Sequence, residues 1–125
     1  MRRPAFHVLR VGLGITFCWI GILILKEPLE WFYLTQPWVQ ALAPDPLLVM
    51  IPTAVLDIIV GFLLLMDAAT WLAAGIGAGH LLIVMATTGI GTIIIRDLGL
   101  FAASLALLVD SFPEKLLERL RRLAR

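Results

Sequence analysis

Asp57 stands halfway along the apolar run Leu47–Met66, with Ile, Val, Leu and Phe on both sides, and His80 stands near the middle of the next run. A carboxylate at the centre of a bilayer costs about 2.5–3.5 kcal/mol on insertion scales, so it faces other helices, finds a partner or takes up a proton. A carboxyl beside an imidazole can hold and pass a proton, or hydrogen-bond a carbonyl. Further charges lie on or beside the apolar runs: Arg10 in the first, Lys26 just after it, and Arg96-Asp97 at the start of the last.

The elements that must position these groups are membrane helices. Of 125 residues, 61% are hydrophobic and 15% charged, outside the usual range for a soluble domain. Four apolar stretches, Ala5–Leu25, Leu47–Met66, Thr70–Thr87 and Gly91–Val109, approach the roughly 20 residues a helix needs to cross the hydrocarbon core. Backbone groups in lipid must be satisfied internally, and the runs are too long and uniformly apolar for barrel strands. The expected fold is all-α, a single integral membrane domain forming an up-down four-helix bundle. Brief connections around 67–70 and 87–92 make consecutive helices antiparallel neighbours.

Two other segments flank the runs. Residues 28–43 hold Trp31, Phe32, Tyr33 and Trp38 among several prolines, which predicts short helices lying at the outer interface. This segment either anchors the protein by its aromatics or lids the bundle mouth. Residues 112–125 predict an amphipathic cytoplasmic helix with Leu116, Leu117, Leu120 and Leu123 on one face, started by a capping box from Ser111 to Glu114. It lies on the membrane or docks a partner. Arg2, Arg3 and Arg10 near one terminus, and Lys115, Arg119, Arg121, Arg122 and Arg125 near the other, place both termini in the cytoplasm. The first run reads as an uncleaved anchor, and a bacterial inner membrane fits the whole.

Helical spacing then sorts residues by face and depth. Arg10, Gly14, Cys18 and Gly21 form a stripe of small side chains with a guanidinium at its inner end, and Ala74, Ala78, Gly75 and Gly79 give thin surfaces beside His80. Asp57 and His80 fall at similar depth and can pair. His7 and Arg10 belong to the inner boundary and Arg96 and Asp97 to the outer part of the last span, roughly 6–12 Å off the midplane at a rise of about 1.5 Å per residue. Arg10 either snorkels inward or faces the bundle. Arg96-Asp97 reads as a local ion pair or a helix-start charge pattern, with the alternative that Asp97 and Ser104, which share one face, point into the bundle.

Several chemistries are excluded by type and spacing. His7 and His80 differ too much in depth to ligate one haem, no cluster has metal-ligand spacing, and no serine is set with a base. The lone Cys18 cannot form an intramolecular disulfide. The basic tail points to anionic lipid head groups rather than nucleic acid.

The residues Leu9-Arg10-Val-Gly-Leu-Gly14, Gly21, Lys26-Glu-Pro28, an acid before a glycine in the second span (Asp57, Gly61) and Arg96-Asp97-Leu-Gly-Leu-Phe together resemble the DoxX family. The resemblance spans nearly the whole membrane part. Asp57 stands where glutamate is more usual, and Asp67 where the family commonly has glycine and a basic residue. The resemblance implies a small four-helix bacterial membrane protein associated with redox complexes, some of them quinone-linked, and it carries over Arg10, Lys26, Asp57 and Asp97. The first expectation is therefore a redox-associated subunit, not catalytic alone, with quinone as its ligand. In it Asp57 exchanges protons or binds a quinone carbonyl, His80 partners it, and Arg10 or Arg96 with Asp97 gates or orients at the ends. The second is an accessory subunit that scaffolds a larger membrane complex, with Asp57 locking helices by a hydrogen bond. The third is an oligomeric transporter of a small solute or proton. Lipids and either other membrane subunits or further copies of the chain are the expected partners.

Overall fold

The computed structural model describes residues 3–89 and 91–125, the side chains of 92–94 excepted. Arg2 of the basic N-terminal end and Ile90 of the expected outer turn lie outside the described residues. Seven helices and no strand are found among the described residues: α1 Pro4–Lys26, α2 Pro28–Tyr33, α3 Pro37–Leu42, α4 Pro46–Leu65, α5 Thr70–Thr88, α6 Thr92–Ser111 and α7 Glu114–Leu123. Proline opens α1, α2, α3 and α4, where its missing N–H costs nothing and its fixed φ suits the first turn. Three helices, α1, α4 and α5, are long and apolar enough to cross a membrane. Helix α6 matches them in length at 20 residues, but carries Arg96, Asp97 and Asp110.

The closest packing joins α1 to α4 and α5 to α6, with lighter contact between α4 and α5 and between α1 and α6. Glycine makes the first seam. A Cβ on Gly61 would lie 2.5 Å from Cys18 Sγ and 2.6 Å from both Cys18 N and Gly14 O, and one on Gly21 would lie 2.7 Å from Ala54 O. The stripe expected on α1 is thus the surface on which α4 lies, with backbone nearly touching backbone. On α5 the expectation divides. Ala74 and Ala78 are buried and Gly75 rests against Leu108, but Gly79 meets nothing within 4 Å. Gly77 instead takes the close approach, receiving the Phe17 ring.

Phe17, Leu13, Val60, Leu64, Ala73, Ala74, Leu81 and Leu107 form the main core, while Ile24, Phe32, Met50 and Ala54 form a smaller one under α2. Large apolar side chains such as Ile15, Trp19, Ile59, Phe62 and Ile83 point outward, as a lipid-facing surface requires. Short turns make the helices antiparallel. The α4–α5 turn places Asp67 and Ala69 at positive φ, 52° and 47°. A left-handed alanine costs about 1–2 kcal/mol, so Ala69→Gly is expected to raise stability by about 1 kcal/mol, read as a higher melting temperature in detergent.

The start of α7 differs from expectation. Ser111 is the last residue of α6 and its hydroxyl donates back to Leu107 O, while Pro113 holds the N-cap position without a side-chain hydrogen bond, so no capping box forms. A serine hydroxyl facing a carbonyl one turn back is closer than any amide ahead of it. A Trp71–Phe112 edge-to-face contact, centroids 5.6 Å apart, holds this corner against the start of α5. Beyond it Leu117, Leu120 and Leu123 are exposed, the open apolar face of an amphipathic helix.

Candidate functional site

Under the α2–α3 segment, a cavity of about 150 Å³ is lined by α1, α4, α5 and α6. Its walls are apolar, with Phe17, Ile20, Ile24, Met50, Leu81 and Val84 prominent, and its polar residues are Asp57, His80, Asp97 and four threonines. Each arrives by helical periodicity. Asp57 belongs to the buried face Ala54, Asp57, Gly61, Leu64 of α4; His80 lies three residues after Gly77 and four before Val84 on α5; Asp97 heads the buried series Asp97, Ser104, Leu107, Ser111 on α6. Pro52, one and a half turns before Asp57, interrupts the hydrogen-bond ladder of α4 beside the cavity.

Asp57 Oδ1 and His80 Nε2 are 3.3 Å apart, with Asp57 buried and His80 largely so. The distance is that of an ion pair, yet Nε2 does not satisfy hydrogen-bond geometry and has no other partner among the described residues. Asp97, 1% exposed, comes to the same cavity instead of standing apart at the outer end, and it acts electrostatically on both Asp57 and His80. Position along α6 alone puts Asp97 near the outer end, but its side chain lies on the buried face shared with Ser104 and reaches inward. Arg96 donates to Asp97 Oδ1 from Nε at 3.3 Å and from Nη2 at 3.2 Å, leaving Oδ2 buried and without a partner among the described residues.

The same arginine ties the site to its cover. Arg96 lies 5.9 Å from the centroid of the Trp31 ring, a cation–π distance, and Trp31 lines the cavity. The segment is also clamped at Gln36: its backbone N–H donates to Thr87 O at 2.7 Å and its side-chain amide to Thr88 O at 3.0 Å. Gln36 packs on Gly89, whose φ of 76° suits only glycine. Residues 28–43 thus form two short helices fixed across the cavity mouth.

Arg10 has a different task. It is buried at the opposite end, where Nη1 donates to Leu64 O at 2.5 Å and Leu65 O at 3.0 Å, Nη2 meets His7 Nδ1 at 3.3 Å, and Nε lies 3.8 Å from Asp67. The guanidinium caps the C-terminal carbonyls of α4, which is bundle-facing and not snorkelling. Asp67 in turn accepts from the Thr70 hydroxyl. Charge-assisted hydrogen bonds contribute about 1.5–3 kcal/mol, so Arg10→Ala is expected to lower stability by about 2 kcal/mol, measured by thermal unfolding.

Lys26 is exposed at the end of α1 and lies outside the cavity lining. Beside it, Glu27 pushes the Glu30 carboxyl above its ordinary range by a side-chain hydrogen bond and by charge repulsion. Cys18 is half-buried in the α1–α4 seam, its thiol 3.7 Å from Ile58 O. Among the described residues no three His, Cys, Asp or Glu side chains are grouped to hold a metal ion.

Sequence reasoning placed Trp31 in a segment that anchors or lids the bundle, but missed Gln36 as its clamp and the threonines of the lining. A signal for the latter existed: Thr53 precedes Asp57 by four residues and Thr87 follows His80 by seven, which are same-face spacings. The chain matches no protein-family model, and comparison with curated proteins and with solved structures finds no match.

Proposed function

We propose that the chain is a DoxX-like subunit of a redox-linked complex in the bacterial inner membrane, and that the cavity over Asp57 and His80 receives the head group of a quinone. The observation that carries this reading is the cavity itself: about 150 Å³, apolar-walled, with Asp57, His80 and Asp97 converging on it. An apolar pocket of that size accommodates a six-membered ring, and a few convergent polar groups in such a pocket mark a binding site. The unpartnered Asp97 Oδ2 and His80 Nε2 are buried atoms that a ligand's oxygen substituents satisfy. A quinone supplies the redox chemistry when bound; the protein's part is to hold the ring, exclude water with Trp31 and Leu34, and keep a titratable pair at its edge.

In this reading α6 crosses the bilayer with α1, α4 and α5, both termini are cytoplasmic, and α7 lies on the inner leaflet. Support comes from the end shared by the start of α1 and the corner after α6, which carries Arg3, Arg10, Lys115, Arg119, Arg121, Arg122 and Arg125. Reporter fusions at the two termini are expected to report the cytoplasm; a periplasmic signal from either overturns this topology. The function is tested by extracting the protein in native lipid and assaying co-purified quinone by mass spectrometry. Stoichiometric quinone, depleted by Asp57→Asn, is expected; no quinone, with no change in partner turnover for that variant, sinks the reading.

A further inference from the structure

From the hydrogen-bonding inventory of the cavity we infer that it selects the reduced, dihydroxy form of the ring over the oxidised dicarbonyl form; this rests on the quinone-site reading above. The hydroxyls of the lining threonines are already committed. Thr53 donates to Val49 O at 2.8 Å, Thr35 to Phe32 O at 2.6 Å, Thr88 to Val84 O at 2.8 Å, and Thr87 to Ile83 O and Val84 O at 3.0 Å. A hydroxyl whose single proton is given to its own helix offers a ligand only oxygen lone pairs.

Asp97 adds to the same side of the balance. Asp97 Oδ2 is buried without a partner among the described residues, and both Arg96 contacts fall on Oδ1, so the second oxygen stays available. Asp57 lines the cavity with one oxygen beside His80. Against these acceptors the lining offers two side chains with an N–H, His80 and the Trp31 indole. A dicarbonyl ring can be met by the His80 and Trp31 N–H groups, but it has no proton to give and leaves Asp97 Oδ2 buried and unpaired. A dihydroxy ring brings two donors, and one can reach Asp97 Oδ2. Discrimination by a buried hydrogen-bonding group is strong because the wrong partner leaves that group unpaired.

The site is a binding site, and no electron transfer is assigned to this chain. Asp97 is a specificity determinant, with Arg96 its positioning residue.

The test is equilibrium binding of durohydroquinone and duroquinone to the intact protein in lipid nanodiscs, the former under argon with excess ascorbate. Both rings are fully methylated and cannot alkylate Cys18. Binding of the reduced ring tighter by about tenfold or more is expected, the scale of one charge-assisted hydrogen bond. Asp97→Asn presents an amide that donates as well as accepts, and is expected to erase or reverse the preference; a merely structural Asp97 would weaken both rings alike. Equal or tighter binding of duroquinone by the native protein overturns the selectivity and leaves the quinone site standing. Binding of neither ring overturns both.

Discussion

Gly61→Leu is expected to abolish recovery of folded, monodisperse protein from detergent, and Gly61→Ala to destabilise it by about 3 kcal/mol, the upper end of the range for overpacked cores. The cause is that the atoms in the way are not flexible. Gly61 faces Cys18 N and Gly14 O across the seam, both main-chain atoms, so α1 and α4 must separate to admit even one methyl group. Helix association in lipid has no hydrophobic drive and depends on such contact, hence separation loses most of what joins this pair. Gly79→Ala, by contrast, meets open space and is expected to leave the melting temperature unchanged or slightly raised. Comparing the two by size-exclusion chromatography and thermal unfolding checks the seam; equal behaviour of both variants would contradict it.

The second large effect is expected at the buried pair. His80→Leu leaves the Asp57 carboxyl buried without its neighbour at 3.3 Å, and breaking a buried pair from one side costs about 3 kcal/mol or more. The double variant Asp57→Leu with His80→Leu removes both polar groups and is expected to regain most of that stability, because apolar replacements of a buried pair are often neutral. Ring binding is expected to stay lost in the double variant. Stability and binding thereby separate: a purely structural pair would show the stability cycle with no ligand to lose, whereas a double variant as unstable as the single would mean that the two side chains are not coupled. Denaturant titration in mixed micelles gives the cycle.

Why some of this was legible in the sequence, and some was not, follows from what local periodicity encodes. Asp57 and His80 each stand mid-run, and antiparallel neighbours of similar length bring mid-run residues to one depth, so their meeting was foreseeable from residue counts alone. Gly14 and Gly21 were foreseeable as thin surfaces because small residues at helical spacing have few other uses in lipid, whereas their partner Gly61 stands without such a stripe on α4. Gly79 shows the limit. It shares the small-residue pattern, but pattern does not say which of two adjacent faces of α5 receives a neighbour, and Phe17 settled on Gly77. Asp97 shows another. Its depth was judged by distance along α6, while its role in the cavity depends on side-chain direction and on Arg96 lying outside it. Ser111 was read as a cap for α7, yet a serine at the end of a helix can equally turn back, and here its proton goes to Leu107 O. The clamp of Gln36 on the end of α5 joins residues about fifty positions apart and leaves no local trace.

The central claim, that the cavity over Asp57 and His80 takes a quinone-type ring, is tested most directly through Trp31, which lines it. Trp19, Trp38 and Trp71 are replaced by phenylalanine, and Trp31 fluorescence is followed in nanodiscs during titration with a short-chain ubiquinone in its oxidised and reduced forms. A saturable change with at least one form, lost when Thr53→Phe fills the cavity, is the expected result. Quenching that rises linearly with concentration for both forms, equally with and without the filling residue, would contradict it.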